Sequence, residues 1–327
     1  MMQTWRATIV PLAAFGTPLK GDTFFGHLCW AVRNRFGTER LAKLLEGYTA
    51  DRPFAVVSDA LPSGHLPRPA LPGHLFGEVP EIDRKALKKR VWMPVDSFDA
   101  PLQTWLTHCK SAAELLAGAV AEHPQPHNTI NRATGTTGKG SFAPYAMPQL
   151  WHGKKVISPR EVLQMARLDL YVVLDDARIE ADDLKVLIED VGTIGFGRDA
   201  SIGLGKFRLD DFTASQALEQ GQANAWLTLA PCAPQGLNWD DRRSFYNVFT
   251  RFGRHGDIAV YTGKPFKSPV LLAQTGAVLA PRRYESRSLA GRGLGGDGSL
   301  SKSINETVHQ GYAPVLGIRL PECDKRQ

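Results

Sequence analysis

The spacing of apolar residues changes period several times along this chain. Thr4–Leu12, rich in β-branched residues, predicts a strand, and Gly16-Thr17-Pro18 predicts a turn after it. From Asp22, a residue suited to an N-cap, Phe25, Leu28 and Val32 recur at helical spacing and predict a helix to about Arg35. Pro53–Ser58 predicts a second strand. Residues 59–160 then show no clear period; they are rich in Pro, Gly and His, with a basic cluster at Arg84–Arg90 and a helix-like patch at Ala112–Ala121. So long a stretch within one domain reads as an insertion carrying a projecting element. Order returns at Arg167–Leu174, where Leu168, Leu170, Val172 and Leu174 alternate as in a half-buried strand. A helix is predicted at about Ala181–Val191 from Leu184, Leu187, Ile188 and Val191, then a glycine-rich loop, then a strand at Lys206–Phe212.

Without its insert, 1–213 is therefore β-α-β-β-α-β, the ferredoxin-like pattern. Its four-stranded sheet is also the framework of RNA-recognition modules, here without their aromatic signature. A second domain is expected over 224–327. Trp226–Leu229, Asp257–Thr262, Pro269–Leu279 and Tyr312–Leu320 predict strands, Arg243–Phe252 a helix, and Arg282–Ser301 a Gly/Ser/Arg-rich loop. The expected class is α+β, with a second copy of the same fold.

Composition narrows the partners. Apolar residues make up 43% and charged residues 22% of the 327, ordinary values for a globular protein. The chain has no run of about 18 apolar residues, the length a membrane span needs. Its start lacks the charged region of a signal peptide and is read as a strand. Cys29, Cys109, Cys232 and Cys323 form no CxxC pair, which argues against a structural zinc and a disulfide framework and fits a reducing cytoplasm. The net charge of +6 is uneven: residues 264–302 hold seven Lys/Arg against Glu285 and Asp297. Residues 127–160 hold five basic residues and no acidic one. Basic stripes are the footprint of a polyanion.

Gly192–Phe207, GTIGFGRDASIGLGKF, carries glycines at 192, 195, 197, 203 and 205. It is no P-loop, because Phe207 follows Gly205-Lys206, and no dinucleotide fingerprint, because Gly195-x-Gly197-x-x-Ala200 follows a helix. Its backbone N–H groups suit RNA phosphates or riboses, with Gly195, Gly197, Arg198, Ser201, Gly203, Gly205 and Lys206 as candidate contacts. Lys20, Gly21, Asp22 and Thr23 open the first helix, whose free N–H groups attract phosphate. His27, one turn further in, is a packing residue or a weak candidate general base. In His127–Thr137, His127, Asn128, Asn131, Arg132 and Thr134 suit ribose and phosphate contacts, and Phe142 and Tyr145 suit base stacking or packing of the insert. Lys264, Lys267, Gln274, Arg282 and Arg283, with His309-Gln310-Gly311-Tyr312, make a candidate basic, polar face on the second domain. GxSxG, HExxH and metal-ligand spacings are absent, so no catalytic residue, metal or cofactor is assigned.

Several of these motifs together resemble one family. PLKGDTFFGHLCWA after a first strand, HNTINRATGTT in the insert, GFGRDASIGLGKF, SPVLLAQTGAVL and HQGYAPV are similar to the fourth Csm subunits of type III-A CRISPR effector complexes. These belong to the RAMP superfamily, in its Cas5-like group. The resemblance implies two ferredoxin-like domains, the first with a β-hairpin thumb and the glycine-rich loop. It implies a cytoplasmic, non-catalytic prokaryotic subunit that caps the 5′ repeat-derived tag of the crRNA. Such a subunit docks against the large polymerase-like subunit and the first backbone subunit, and meets target RNA indirectly. The glycine loop and Lys20–Thr23 would line the tag, and His127–Thr134 would lie in the RNA-contacting insert. The alternative is a related Cas6-like endoribonuclease that matures crRNA without metal, using His27 or His127 as general acid or base.

Overall fold

A computed structural model describes residues 2–76, 84–115, 120–156, 162–218, 222–236, 238–256, 260–261 and 264–321. The chain begins with β1 (Met2–Pro11), α1 (Gly21–Phe36), α2 (Thr38–Leu45) and β2 (Ala55–Val57). Asp22 does not cap α1: Lys20 holds that position, and Asp22 lies buried in the first turn. The short helix α2 was not anticipated; Leu44 is its one fully buried side chain.

The insertion contains β3 (Leu61–Pro62), β4 (His65–Pro67), α3 (Arg84–Lys89), β5 (Arg90–Pro94), α4 (Trp105–His108) and β6 (Lys110–Ser111). It continues with β7 (Val120–His127), β8 (Tyr145–Val156) and β9 (Val162–Met165). Strands β4, β5 and β6 form one small sheet; β7, β8 and β9 form another. The basic cluster at Arg84–Arg90 is thus a short helix running into a strand. The helix-like patch at Ala112–Ala121 begins in turns and ends in β7, and 116–119 lie outside the described residues.

After the insertion come β10 (Leu168–Asp175), α5 (Ala181–Ile194) and β11 (Phe207–Ala214). The expected β-α-β-β-α-β order of 1–213 is present. The sheet runs β11-β1-β10-β2, all antiparallel, with the eight pairs Met2↔Asp175 through Ile9↔Leu168 at its centre. Strand β10 is not half-buried as its alternation suggests. Leu168, Leu170, Val172 and Leu174 pack with α1 and α5, while Tyr171 on the other face joins a second apolar cluster with Leu227, Leu316 and Ile318.

That second cluster lies over a further sheet. Its strands are β12 (Ala225–Thr228), β15 (Val278–Leu279), β16 (Leu289–Gly291) and β19 (Tyr312–Ile318). Between them in the chain lie β13 (Val248–Arg251), β14 (Val270–Ala273), β17 (Leu294–Gly295) and β18 (Val308–His309). The sheet order β15-β12-β19-β16 does not repeat that of the first sheet, and no α-helix occurs among the described residues of 222–321. The helix expected at Arg243–Phe252 is a turn followed by β13, whose alternation of exposed Val248 and Thr250 with Phe249 and Arg251 has the period of a strand. Pro269–Leu279 is two strands joined by a turn, and Tyr312–Leu320 is β19 as expected. Of the strand expected at Asp257–Thr262, Val260 and Tyr261 form a short turn of 3-10 helix and the rest lies outside the described residues. No helix among the described residues is long and apolar enough to cross a membrane.

Candidate nucleic-acid interface

The glycine-rich loop is held from inside by one aromatic side chain. Phe196 is fully buried and meets Phe24, Phe15 and His27 at centroid distances of 5.7, 6.3 and 4.7 Å. Gly205 passes against its backbone: the Phe196 N–H donates to Gly205 O at 2.9 Å, and a Cβ on Gly205 would stand 2.0 Å from Phe196 O. With φ at +72° the position also disfavours any side chain. Most N–H groups of the loop are engaged within the protein. Gly195 donates to Val191 O, Gly205 to Ala14 O, Gly203 to Ala200 O and Arg198 to Thr17 Oγ1. This corrects the expectation of an open cradle: at Gly195, Gly197, Gly203 and Gly205 the N–H groups hold the loop's own shape. Asp199, Ala200 and Ser201, which open the short 3-10 turn Ala200–Ile202, keep N–H groups with no partner among the described residues, beside exposed Ser201 and Lys206.

His27 belongs to this scaffold. Its Nε2 accepts the Gly197 N–H at 3.0 Å, and burial pushes its pKa down to about 4. The ring is neutral at pH 7, with its lone pair occupied, so a role in acid–base chemistry or in holding a phosphate is corrected to a role in holding the loop.

The entry to α1 is also already filled, by a carboxylate of the chain. Asp59 is buried and accepts from Gly21 N–H at 2.9 Å, Lys20 Nζ at 2.6 Å and Thr275 Oγ1 at 2.6 Å. The anion that the helix N-terminus attracts is therefore internal. Asp22 is likewise withdrawn from any ligand: Arg251 grips it through Nε at 2.6 Å and Nη2 at 3.0 Å, and His309 Nε2 stands 3.4 Å away. Burial alone would raise the Asp22 carboxyl, but His309 and Arg251 outweigh it and hold the pKa below its ordinary value. Thr23 is part-buried in the same turn.

These contacts join the two sheets, as do others the sequence left open. The Gln310 amide, fully buried, pairs with both backbone groups of Val57 at 2.9 and 2.8 Å, and Tyr312 Oη donates to Tyr48 O at 2.7 Å. The HQGY motif, expected on a binding face, is part of this joint. Lys267 is no surface cation either: it lies near Cys29 and Asp22, and burial holds its ammonium below its ordinary pKa. Asp59, Thr17 and Phe196 are the residues that sequence reasoning missed; a lone Asp after a strand carries no signal of its three partners.

The insert does present a hairpin. Strands β7 and β8 pair from Val120↔His152 to His127↔Tyr145, and His127 stacks on Tyr145 at 5.3 Å where the tip begins. Asn131 shapes the tip, accepting the Ala133 N–H on Oδ1 at 2.9 Å. Asn128, Arg132 and Thr134 are exposed, as are Ile130, Phe142 and Tyr145. Two ties fasten the hairpin to the loop side. Phe15 and Leu150 exchange backbone hydrogen bonds at 2.8 Å, and Arg198 donates from Nη2 to Pro148 O at 2.8 Å while its Nε lies 3.2 Å from Asp199 Oδ2. Arg198 therefore connects the glycine loop with the hairpin. On the second sheet's side, Lys264, Gln274, Arg282 and Arg283 are exposed, with Arg282 Nε 3.4 Å from Trp239 O.

No protein-family model matches this chain, and no curated protein matches its sequence. Solved structures match in fold. A chain of a Csm1–Csm4 cassette in complex with pppApA is 16% identical, with 98% of this chain and 100% of that one covered and a TM-score of 0.58. The cassette in complex with cA4 gives the same figures. A chain of the Csm3–Csm4 subcomplex in the type III-A CRISPR-Cas interference complex is 12% identical, with 93% and 98% covered and a TM-score of 0.54. At such identities the likeness establishes a shared fold.

Proposed function

We propose that this chain is a Csm4-type subunit of a type III-A CRISPR effector complex. In this reading it holds the 5′ repeat-derived tag of a crRNA and bridges the large polymerase-like subunit to the backbone subunits, without catalysing a reaction, in a prokaryotic cytoplasm. One observation carries the reading: Csm4 is the component that both kinds of matched pair have in common, and the matched chains are covered almost end to end. The strand order of 1–213 supports a ferredoxin-like first domain, and 224–327 is read as a reduced second one built on the other sheet.

The RNA-contacting set becomes narrower than the motifs suggested. It comprises Asn128, Arg132 and Thr134 at the hairpin tip, the free N–H groups of 199–201 with Ser201 and Lys206, and Lys264, Gln274, Arg282 and Arg283 on the other sheet. Lys20, Asp22, His27 and Lys267 support that surface from within. The Cas6-like endoribonuclease finds no support at His27, whose Nε2 is occupied by Gly197 N–H.

The test is to express the chain with its large and backbone partners, and to compare a tag-bearing crRNA with a scrambled RNA of equal length. Retention of the tagged RNA with both protein partners, at a salt concentration that releases the scrambled one, is expected. Equal and fully salt-screened binding of the two RNAs would refute tag capture.

A further inference from the structure

One exposed surface borders Lys264 and Gln274, but its apolar part has no role in the parts described so far. Strands β13 and β14 form a two-stranded ribbon separate from the large sheets. The register Val248↔Ala273, Phe249↔Leu272, Thr250↔Leu271 and Arg251↔Val270 sets Val248, Thr250 and Leu271 on one face. The opposite face carries Arg251, which reaches Asp22 of α1. The first face meets solvent: Val248 and Leu271 are each 56% exposed. Phe252, one step past the strand, is 75% exposed, and Phe266, in the segment paired with Arg254, is 70% exposed. A monomer has no reason to leave two phenyl rings and two aliphatic side chains in one neighbourhood open to water.

The charge around them selects the occupant. Residues 242–273 carry Arg242, Arg243, Arg251, Arg254, Lys264 and Lys267 against one acid, Asp257. Arg251 and Lys267 point inward and Arg243 is part-buried, which leaves Arg242, Arg254 and Lys264 exposed, Arg254 and Lys264 of these in the segments that carry the rings. Arg254 lies over the Phe266 ring at 5.7 Å, so the ring and a cation form one unit. Exposed rings interleaved with exposed cations suit single-stranded nucleic acid: bases stack on the rings while phosphates meet the guanidinium and ammonium groups.

We propose that the β13–β14 ribbon is a second, sequence-tolerant site for single-stranded RNA, with Phe252 and Phe266 as stacking platforms and Arg254 and Lys264 as phosphate contacts. It rests on the RNA-binding reading above and adds a surface to it. The ribbon is fastened to α1 through Arg251–Asp22, and the glycine loop to the same helix through Gly197–His27, so one helix carries both surfaces.

The test uses a fluorescein-labelled oligouridine of about 16 nucleotides, the upper size of such sites. The whole chain, Phe252→Ala/Phe266→Ala, Phe252→Tyr/Phe266→Tyr, Arg254→Gln and Arg132→Ala are compared by anisotropy over a salt series, with thermal unfolding as the control for folding. The double alanine variant is expected to lose affinity at least tenfold with its salt slope unchanged, and the double tyrosine variant to keep it. Arg254→Gln is expected to lower the slope by about one unit. An affinity within twofold of the unaltered protein in the double alanine variant, while Arg132→Ala weakens binding, overturns the ribbon site and leaves the RNA-binding reading standing. The same unchanged affinity with loss of co-elution with the large or backbone subunit assigns the face to a protein and also overturns it. No binding of the oligouridine by the unaltered chain overturns the ribbon site, while the reading as a tag-holding subunit stands or falls on the tagged-RNA comparison described above.

Discussion

His27 shows how a residue type common in catalysis becomes a scaffold. A part-buried imidazole accepting a backbone N–H favours its neutral form, and its pKa of about 4 lies below the ordinary 6.5. Between those values the unfolded chain binds a proton that the folded one refuses. The stabilisation is therefore complete above about pH 6.5 and is lost as the pH falls toward 4, at ~1.4 kcal/mol per unit. Urea unfolding should show the protein losing about 2 kcal/mol between pH 7 and pH 5 through this residue, and His27→Gln should not show that loss. Identical pH dependence in the two proteins would mean that the imidazole is not buried neutral. Asp22 acts in the same direction further into acid, since its carboxyl is held below its ordinary value and its grip on Arg251 is lost as it is protonated.

At the scale of elements, the hairpin and the glycine loop work as a pair because Arg198 crosses between them. The sequence marks Arg198 as a cation free for phosphate; in the fold, one nitrogen donates to Pro148 O and another faces Asp199. Removing it should loosen the hairpin rather than the core. In Arg198→Ala, amide exchange over 145–150 is expected to accelerate roughly tenfold, while global stability changes by less than about 1 kcal/mol. Unchanged exchange there would show that the Phe15–Leu150 bridge alone fastens the hairpin. The insertion was legible as an irregular segment rich in Pro, Gly and His, its hairpin was expected only from the family resemblance, and its strands left no periodic signal. Pro124 and Pro148 oppose each other across it, and prolines erase the β-branched alternation by which a strand is recognised.

At the scale of the molecule, the two sheets are joined by buried polar groups as well as by apolar packing. Gln310 gives its side-chain amide to Val57 as a strand would give its backbone, Asp59 gathers Lys20, Gly21 and Thr275, and Asp22 holds Arg251. Gln310→Ala would leave a buried N–H and C=O of β2 unpaired, at a cost of about 3 kcal/mol. Calorimetry is expected to show a lower midpoint in this variant, with the single transition broadening toward two. A wild-type melting profile would show that apolar contact alone joins the sheets.

Local sequence was enough to place α1 and α5, whose buried side chains recur along one face, the strands β1, β11 and β19, and the β-α-β-β-α-β order of 1–213. It also determined where irregular backbone must lie, because glycine and proline act on the chain locally. Which polar residues face outward was settled by the folded arrangement of distant segments. Lys20, Asp22, His27, Lys267 and Gln310 look in sequence like the exposed Arg132, Ser201 and Lys264. Their difference lies in partners up to 253 residues away, as between Gln310 and Val57, and no local pattern encodes such a distance. Burial without a partner is too costly for a charged or amide group, so each inward residue exists together with its distant mate. The polar residues without such a mate among the described residues are the ones that face solvent, and the proposed RNA contacts are drawn from these.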